Sequence, residues 1–152
     1  MNVAFDTSFL VGLLDPQDLW HVQAVALDIA LQSAGFQAVY FDCVIAETVS
    51  VATRRLHEKQ RVAEIGSLLD RIITSFPSET ITWIGADMPT LQPDVLALVR
   101  TSQGALNFND ALIALACRER EIGFIASFDR DFDQVAWLQR LAGPDDLARY
   151  PR

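Results

Sequence analysis

Residues 2–14 read NVAFDTSFLVGLL, and the change of pattern at Asp6 decides the fold. Before it, residues 2–5 are apolar in succession rather than in alternation, the signature of a short strand covered on both faces. After it, residues 7–14 read as a helix, with Thr7 or Ser8 able to satisfy its free backbone amides. A strand that gives way to a helix across one acidic residue is the opening of a βα unit.

Working outward, the same alternation repeats. Asp15, Pro16 and Gln17 break the chain, and Asp18 can cap a second helix with apolar residues at Trp20, Ala24, Leu27 and Leu31, closed by Gly35. QAVYFD at 37–42 is a second strand, rich in β-branched and aromatic residues. Helices follow at 44–56 and 60–76, the latter with a core stripe of Ile65, Leu68, Leu69, Ile72 and Ile73, and Pro77 stops it. A third strand spans 80–84, and a helix at 93–101 ends near Gly104. Asn109 or Asp110 caps a helix running to about residue 121, terminated by Gly123. A fourth strand at 124–127 leads to an acidic loop at 128–133, and 135–141 supplies a last short strand before a polar tail. This order predicts an α/β fold in three layers, α/β/α, around a mainly parallel sheet of four or five strands.

At 152 residues the whole chain, 1–152, fits one domain that buries its own core. The apolar run 9–14 is too short for a signal peptide or a membrane span, and Asp6 stands where a basic flank would be. The expectation is a cytoplasmic protein without a membrane partner. Cys43 and Cys117 have neither zinc-ligand spacing nor a His partner, so they read as reduced core thiols. The formal net charge of −8 argues against tight sequence-independent binding of nucleic acid. Divalent cations at a phosphate site would offset part of that charge. Arg54, Arg55, Lys59 (the only lysine) and Arg61 fall within eight positions. They form either a solvated helix end or a phosphate-facing patch.

Ligands of an open parallel sheet bind beyond the carboxyl ends of its strands. Asp6 ends the first strand, Glu47 lies in the first turns of the helix after the second, and Asp129 sits just past the fourth. Asp110 opens the helix before the fourth strand, and the fold must bring it to the same edge. Each acid has a local explanation as a cap or an exposed helix residue. Glu47, however, has Cys43, Val44, Ser50 and Val51 as helical neighbours, a half-buried face on which a carboxylate needs a partner. Asp129, Asp131 and Asp133 imitate a calcium loop, but Gln134 replaces its glycine and Arg140 its bidentate glutamate. Oxygen donors without His or Cys select a hard cation, Mg²⁺ or Mn²⁺, which suits phosphodiester hydrolysis.

The stretches FDTSFLVGLLD around Asp6, VIAETVSVA around Glu47, FNDALIALA around Asp110 and IASFDRDFD around Asp129 make the chain similar to the PIN-domain family, and within it to VapC-like toxins of type II toxin–antitoxin pairs. The resemblance covers nearly the whole chain, with the motifs in the family's order. It implies a PIN-like nuclease domain and a hydrolase that cleaves RNA phosphodiesters as an endoribonuclease dependent on Mg²⁺ or Mn²⁺. It also implies a homodimer whose site a small antitoxin protein covers. Asp6, Glu47, Asp110 and Asp129 match the family's acidic quartet, catalytic and metal-binding. Ser127 matches the hydroxyl residue two positions before the last acid, Thr7 is a supporting donor, and Asp131 is a substitute or outer ligand. Arg54, seven residues after Glu47 on one helix face, and Arg130 are candidate RNA contacts. Low lysine content departs from many members and bears on the RNA surface. A non-catalytic module binding RNA or protein, and a housekeeping nuclease without antitoxin, are the alternatives. A haloacid-type phosphatase would need Asp-x-Asp-x-Thr where this chain has Asp6, Thr7 and Ser8.

Overall fold

The computed structural model describes residues 1–148. The polar tail expected after residue 141 therefore lies partly outside the described residues. Five strands, β1 (Asn2–Phe5), β2 (Gln37–Phe41), β3 (Ile81–Thr82), β4 (Phe124–Ala126) and β5 (Gln139–Leu141), form one sheet in the order β3-β2-β1-β4-β5. All pairings are parallel, with Ala4 facing Val39 on one side and Ile125 on the other. Val3, Ala4 and Phe5 are buried, as the unbroken apolar run of β1 requires of a central parallel strand.

Helices cover both faces, giving the three-layer α/β/α arrangement read from the sequence. Among the described residues they are α1 (Thr7–Leu14), α2 (His21–Ser33), α3 (Asp42–Glu58), α4 (Ile65–Ser75), α5 (Met88–Thr101), α6 (Phe108–Glu119) and α7 (Pro144–Leu147). Helices α2, α3 and α4 pack against α1, while α5 pairs with α6. From Asp110 to Cys117 every residue of α6 is buried, so this helix is enclosed on all sides. None of the helices among the described residues is long and apolar enough to cross a membrane.

Several expected boundaries move for identifiable reasons. Asp6, not Thr7 or Ser8, caps α1, its carboxylate accepting from the Ser8 amide. Asp18 accepts from the Trp20 amide and so shapes the turn before α2 without capping it. The helix containing Pro93 begins at Met88, because Pro89 suits a first turn and the helix carries Pro93 in its interior. Asn107, rather than Asn109 or Asp110, caps α6. That helix ends with Glu121 at φ +55°, so Glu121 takes the left-handed position assigned to Gly123. In α4, Leu68 and Ile72 are buried but Ile73 faces solvent, which narrows its stripe.

Candidate active site

In a sheet ordered 3-2-1-4-5 the chain reverses direction of winding between β1 and β4, and a crevice opens there beyond the carboxyl ends. Asp6 and Ser127 are the residues that leave these two strands. The Asp6 amide donates to the Ala126 carbonyl at 3.1 Å, which carries the ladder to the strand ends. Asp6 Oδ2 accepts from Ser8 Oγ at 2.7 Å and from Ser127 Oγ at 2.8 Å, besides the Ser8 amide. Ser127 Oγ accepts in turn from the Asp129 amide at 3.0 Å, and Ser8 Oγ from the Phe128 amide at 3.0 Å. Two hydroxyls thus join the ends of β1 and β4. Burial raises the Asp6 carboxyl above its ordinary value, against the lowering effect of those hydrogen bonds.

Glu47, half-buried in the second turn of α3, accepts from Thr7 Oγ1 at 3.0 Å, and Asn109 Nδ2 lies 3.5 Å from the same oxygen. Asp110 is buried at the third position of α6, where its Oδ2 accepts from the Asn107 amide at 3.1 Å while Asn107 accepts from Asp110. This reciprocal capping box occupies one carboxylate oxygen and settles the helix start. Because α6 runs into β4 through residues 120–123, its first turn lies a helix length, about 18 Å, back from the start of that strand. Asp110 thereby comes near the other acids. Its carboxyl is pushed up to about 6, first by burial and then by the charges of Asp6, Asp129 and Glu47, against the lowering Asn107 amide. Of the four acids predicted from separate motifs, Asp110 feels the charges of the other three.

Asp129 accepts from the Asp131 amide at 2.8 Å, so Asp131 meets the group through its backbone while its side chain is exposed. Asp133 does not join the group either, since Arg140 binds both of its oxygens, at 2.7 and 3.0 Å. Arg54 is exposed and 3.8 Å from Glu58. Arg55 pairs with Asp18 at 2.6 Å, and Arg61 with Asp15 and Glu64, so these two lie in structural ion pairs rather than in a phosphate patch. Arg130 is exposed and lies in no ion pair among the described residues. Both cysteines are free, and burial pushes each thiol up to about 12, which leaves neither as a nucleophile at neutral pH. Two polar residues at the site, Ser8 and Asn109, were not expected there. Ser8, two residues after Asp6, carried a signal in that spacing, whereas Asn109 carried none beyond adjacency to Asp110.

Among the described residues, no ion pair involves Asp6, Glu47, Asp110 or Asp129. Nor is any group of three His, Cys, Asp or Glu side chains there arranged to hold a metal ion. The donor set still fits a hard divalent cation. It is all oxygen, its charges raise Asp110, the neighbouring base Arg140 is committed to Asp133, and Mg²⁺ is commonly held by one or two carboxylates with its remaining sites kept by water. Beside Glu47, residues Cys43, Ala46, Ser50 and Asn109 line an open groove rather than a closed pocket.

The family model described as PIN domain matches residues 3–138, most of the chain. Among curated proteins, none matches it.

Proposed function

The chain belongs to the PIN domain family, whose members are generally nucleases using divalent metal ions, and from that premise we propose that it is a Mg²⁺- or Mn²⁺-dependent endoribonuclease. The observation that carries this reading is the Asp110 carboxyl, raised to about 6 in part by three other acids and given no basic partner. Such a group of anions is costly unless a cation joins it. Asp6, Glu47, Asp110 and Asp129 would hold the ion, which when bound neutralises charge on the scissile phosphate and activates water for hydrolysis.

The remaining roles belong to side chains. Ser8 and Ser127 fix one oxygen of Asp6, and Thr7 fixes one oxygen of Glu47, so each presents its other oxygen in a set direction. Asp129 is oriented through the Asp131 amide, which gives Asp131 a positioning part. Arg130 and Arg54 contact flanking RNA phosphates. The open groove beside Glu47 admits a polymer, in keeping with an endonuclease. Within this reading the protein is a cytoplasmic homodimer and the toxin of a toxin–antitoxin pair, covered at its site by a small antitoxin.

The test is incubation of the purified protein with single-stranded RNA and Mn²⁺ or Mg²⁺, alongside Asp6→Asn. Cleavage by the parent alone, leaving 5′-phosphate ends, supports the proposal. If both proteins fold and neither cleaves, the reading falls. A non-catalytic RNA- or protein-binding domain then takes its place.

A further inference from the structure

We propose that Trp20, stacked on Phe128 beside the acid group, is a subsite for an unpaired nucleobase of single-stranded RNA; this rests on the ribonuclease reading above. A series of aromatic rings leads from the core to the surface along the acids. Phe5, which precedes Asp6, meets Phe9 at 4.7 Å, and Phe9 meets Phe128 at 5.9 Å. Phe128, between Ser127 and Asp129, meets Trp20 at 4.8 Å with only 12° between the ring planes. Phe9 is fully buried, whereas Trp20 ends the series 40% exposed.

The stack is held in place. Gly12 lies against the stack: a Cβ there would be in ordinary contact with the Phe128 ring at 3.4 Å and Trp20 Cβ at 3.5 Å, and would crowd only Ala24 Cβ, at 3.2 Å. The Trp20 amide donates to Asp18, which Arg55 grips at 2.6 Å. A preorganised aromatic surface binds a base with little ordering cost. The other tryptophan indoles are engaged elsewhere: Trp137 donates to the Ala114 carbonyl and Trp83 to the Ser78 carbonyl. The Trp20 indole N–H makes no hydrogen bond among the described residues.

Charge supplies a second, independent argument. The chain carries a net −8, and of its basic side chains Arg54, Arg55, Arg61, Arg118, Arg120 and Arg140 already pair with acids. Phosphate neutralisation is therefore a weak source of affinity. Base stacking is indifferent to net charge and contributes substantially per base in single-strand binding. Phe128 stands between Ser127, which binds Asp6, and Asp129, so the stack is anchored on the segment that carries the last acid.

The test uses the full chain carrying Asp110→Asn, so that RNA is bound and not cut, with single-stranded RNA, DNA of the same sequence and duplex RNA as probes. The expected result is preferential binding of the single strands, quenching of tryptophan fluorescence, and a shallow salt dependence. Trp20→Ala should weaken single-strand binding by about tenfold or more. Trp20→Phe should keep affinity within about threefold while losing most of the quench, a readout that does not require the alanine variant to be stable. Unchanged affinity in a folded Trp20→Ala, a quench that persists in Trp20→Phe, or equal binding of duplex overturns the subsite. In that event cleavage by the unsubstituted protein leaves the ribonuclease reading intact. Failure to bind any RNA, together with failure to cleave, overturns both.

Discussion

Asp6 and Asp15 flank α1, one at each end of eight helical residues, and both are buried. At the far end Arg61 binds both oxygens of Asp15, at 2.9 and 3.0 Å, and its hydrogen bonds, helped by Gln17, hold the Asp15 carboxyl below its ordinary value despite burial. At the near end Asp6 receives only hydroxyls and backbone amides, and burial raises its carboxyl above the ordinary value. One residue type therefore does two jobs within a single helix. What separates them is the guanidinium, supplied where the chain needs a fixed turn and withheld where charge is left for something else to neutralise.

The most severe way to test this contrast is to remove charge from the near end. Asp110→Asn should lower RNA cleavage by at least about a hundredfold, the scale for deleting one group that stabilises developing charge. The metal-free protein should at the same time become more stable by roughly 1–2 kcal/mol, because a raised carboxyl is replaced by a neutral amide that still accepts from Asn107. A denaturation midpoint that falls instead would contradict the repulsion described here. Next, Mg²⁺ or Mn²⁺ at a hundred times its dissociation constant should stabilise the parent by about 2.7 kcal/mol, read as a rise in Tm. Asp15→Asn should preserve that rise and Asp110→Asn should lose most of it.

At the far end, Asp15→Asn should cost about 1–2 kcal/mol of stability and leave metal-dependent cleavage intact once the protein is folded. The pH profiles of the two ends should run in opposite senses. In the metal-free protein Asp110 favours the native state below the ordinary carboxylate range, and that contribution is lost as pH rises toward about 6. Asp15 contributes above the ordinary range and is lost as pH falls below it. Titrating unfolding of each asparagine variant against the parent separates them. The smallest effects belong to the exposed bases. Arg130→Ala should weaken RNA binding by about twofold to threefold at low salt, and Arg54→Ala by less, because Glu58 already screens Arg54.

The three layers and the alternation of strands with helices were legible because they follow from periodicity, whereas the order β3-β2-β1-β4-β5 came only from the structure. Asn2–Phe5 came out as read, and each motif acid lies at or near an element end. What sequence could not resolve was mutual engagement. Arg55 and Arg61 look like part of a basic run, yet their partners Asp15 and Asp18 lie some 40 residues earlier and meet them only when α1, α2 and α3 pack. Caps failed for a related reason. Asn107, Asn109 and Asp110 are all good cap residues, and only the three-residue spacing from Asn107 to Asp110 permits the reciprocal bonds observed. The proximity of Asp110 to the other acids depends on the length and direction of α6, which a pattern of apolar residues does not report.

The paired hydroxyls at the near end also have a polarity. Ser8 and Ser127 both spend their only proton on Oδ2 of Asp6 and accept from the Phe128 and Asp129 amides. An asparagine at position 6 must therefore turn its oxygen toward the two serines, and its NH₂ then takes the outward place of Oδ1. There a donor replaces an acceptor at the oxygen the serines leave free, so Asp6→Asn inverts the sense of that contact while leaving the scaffold behind it unaltered.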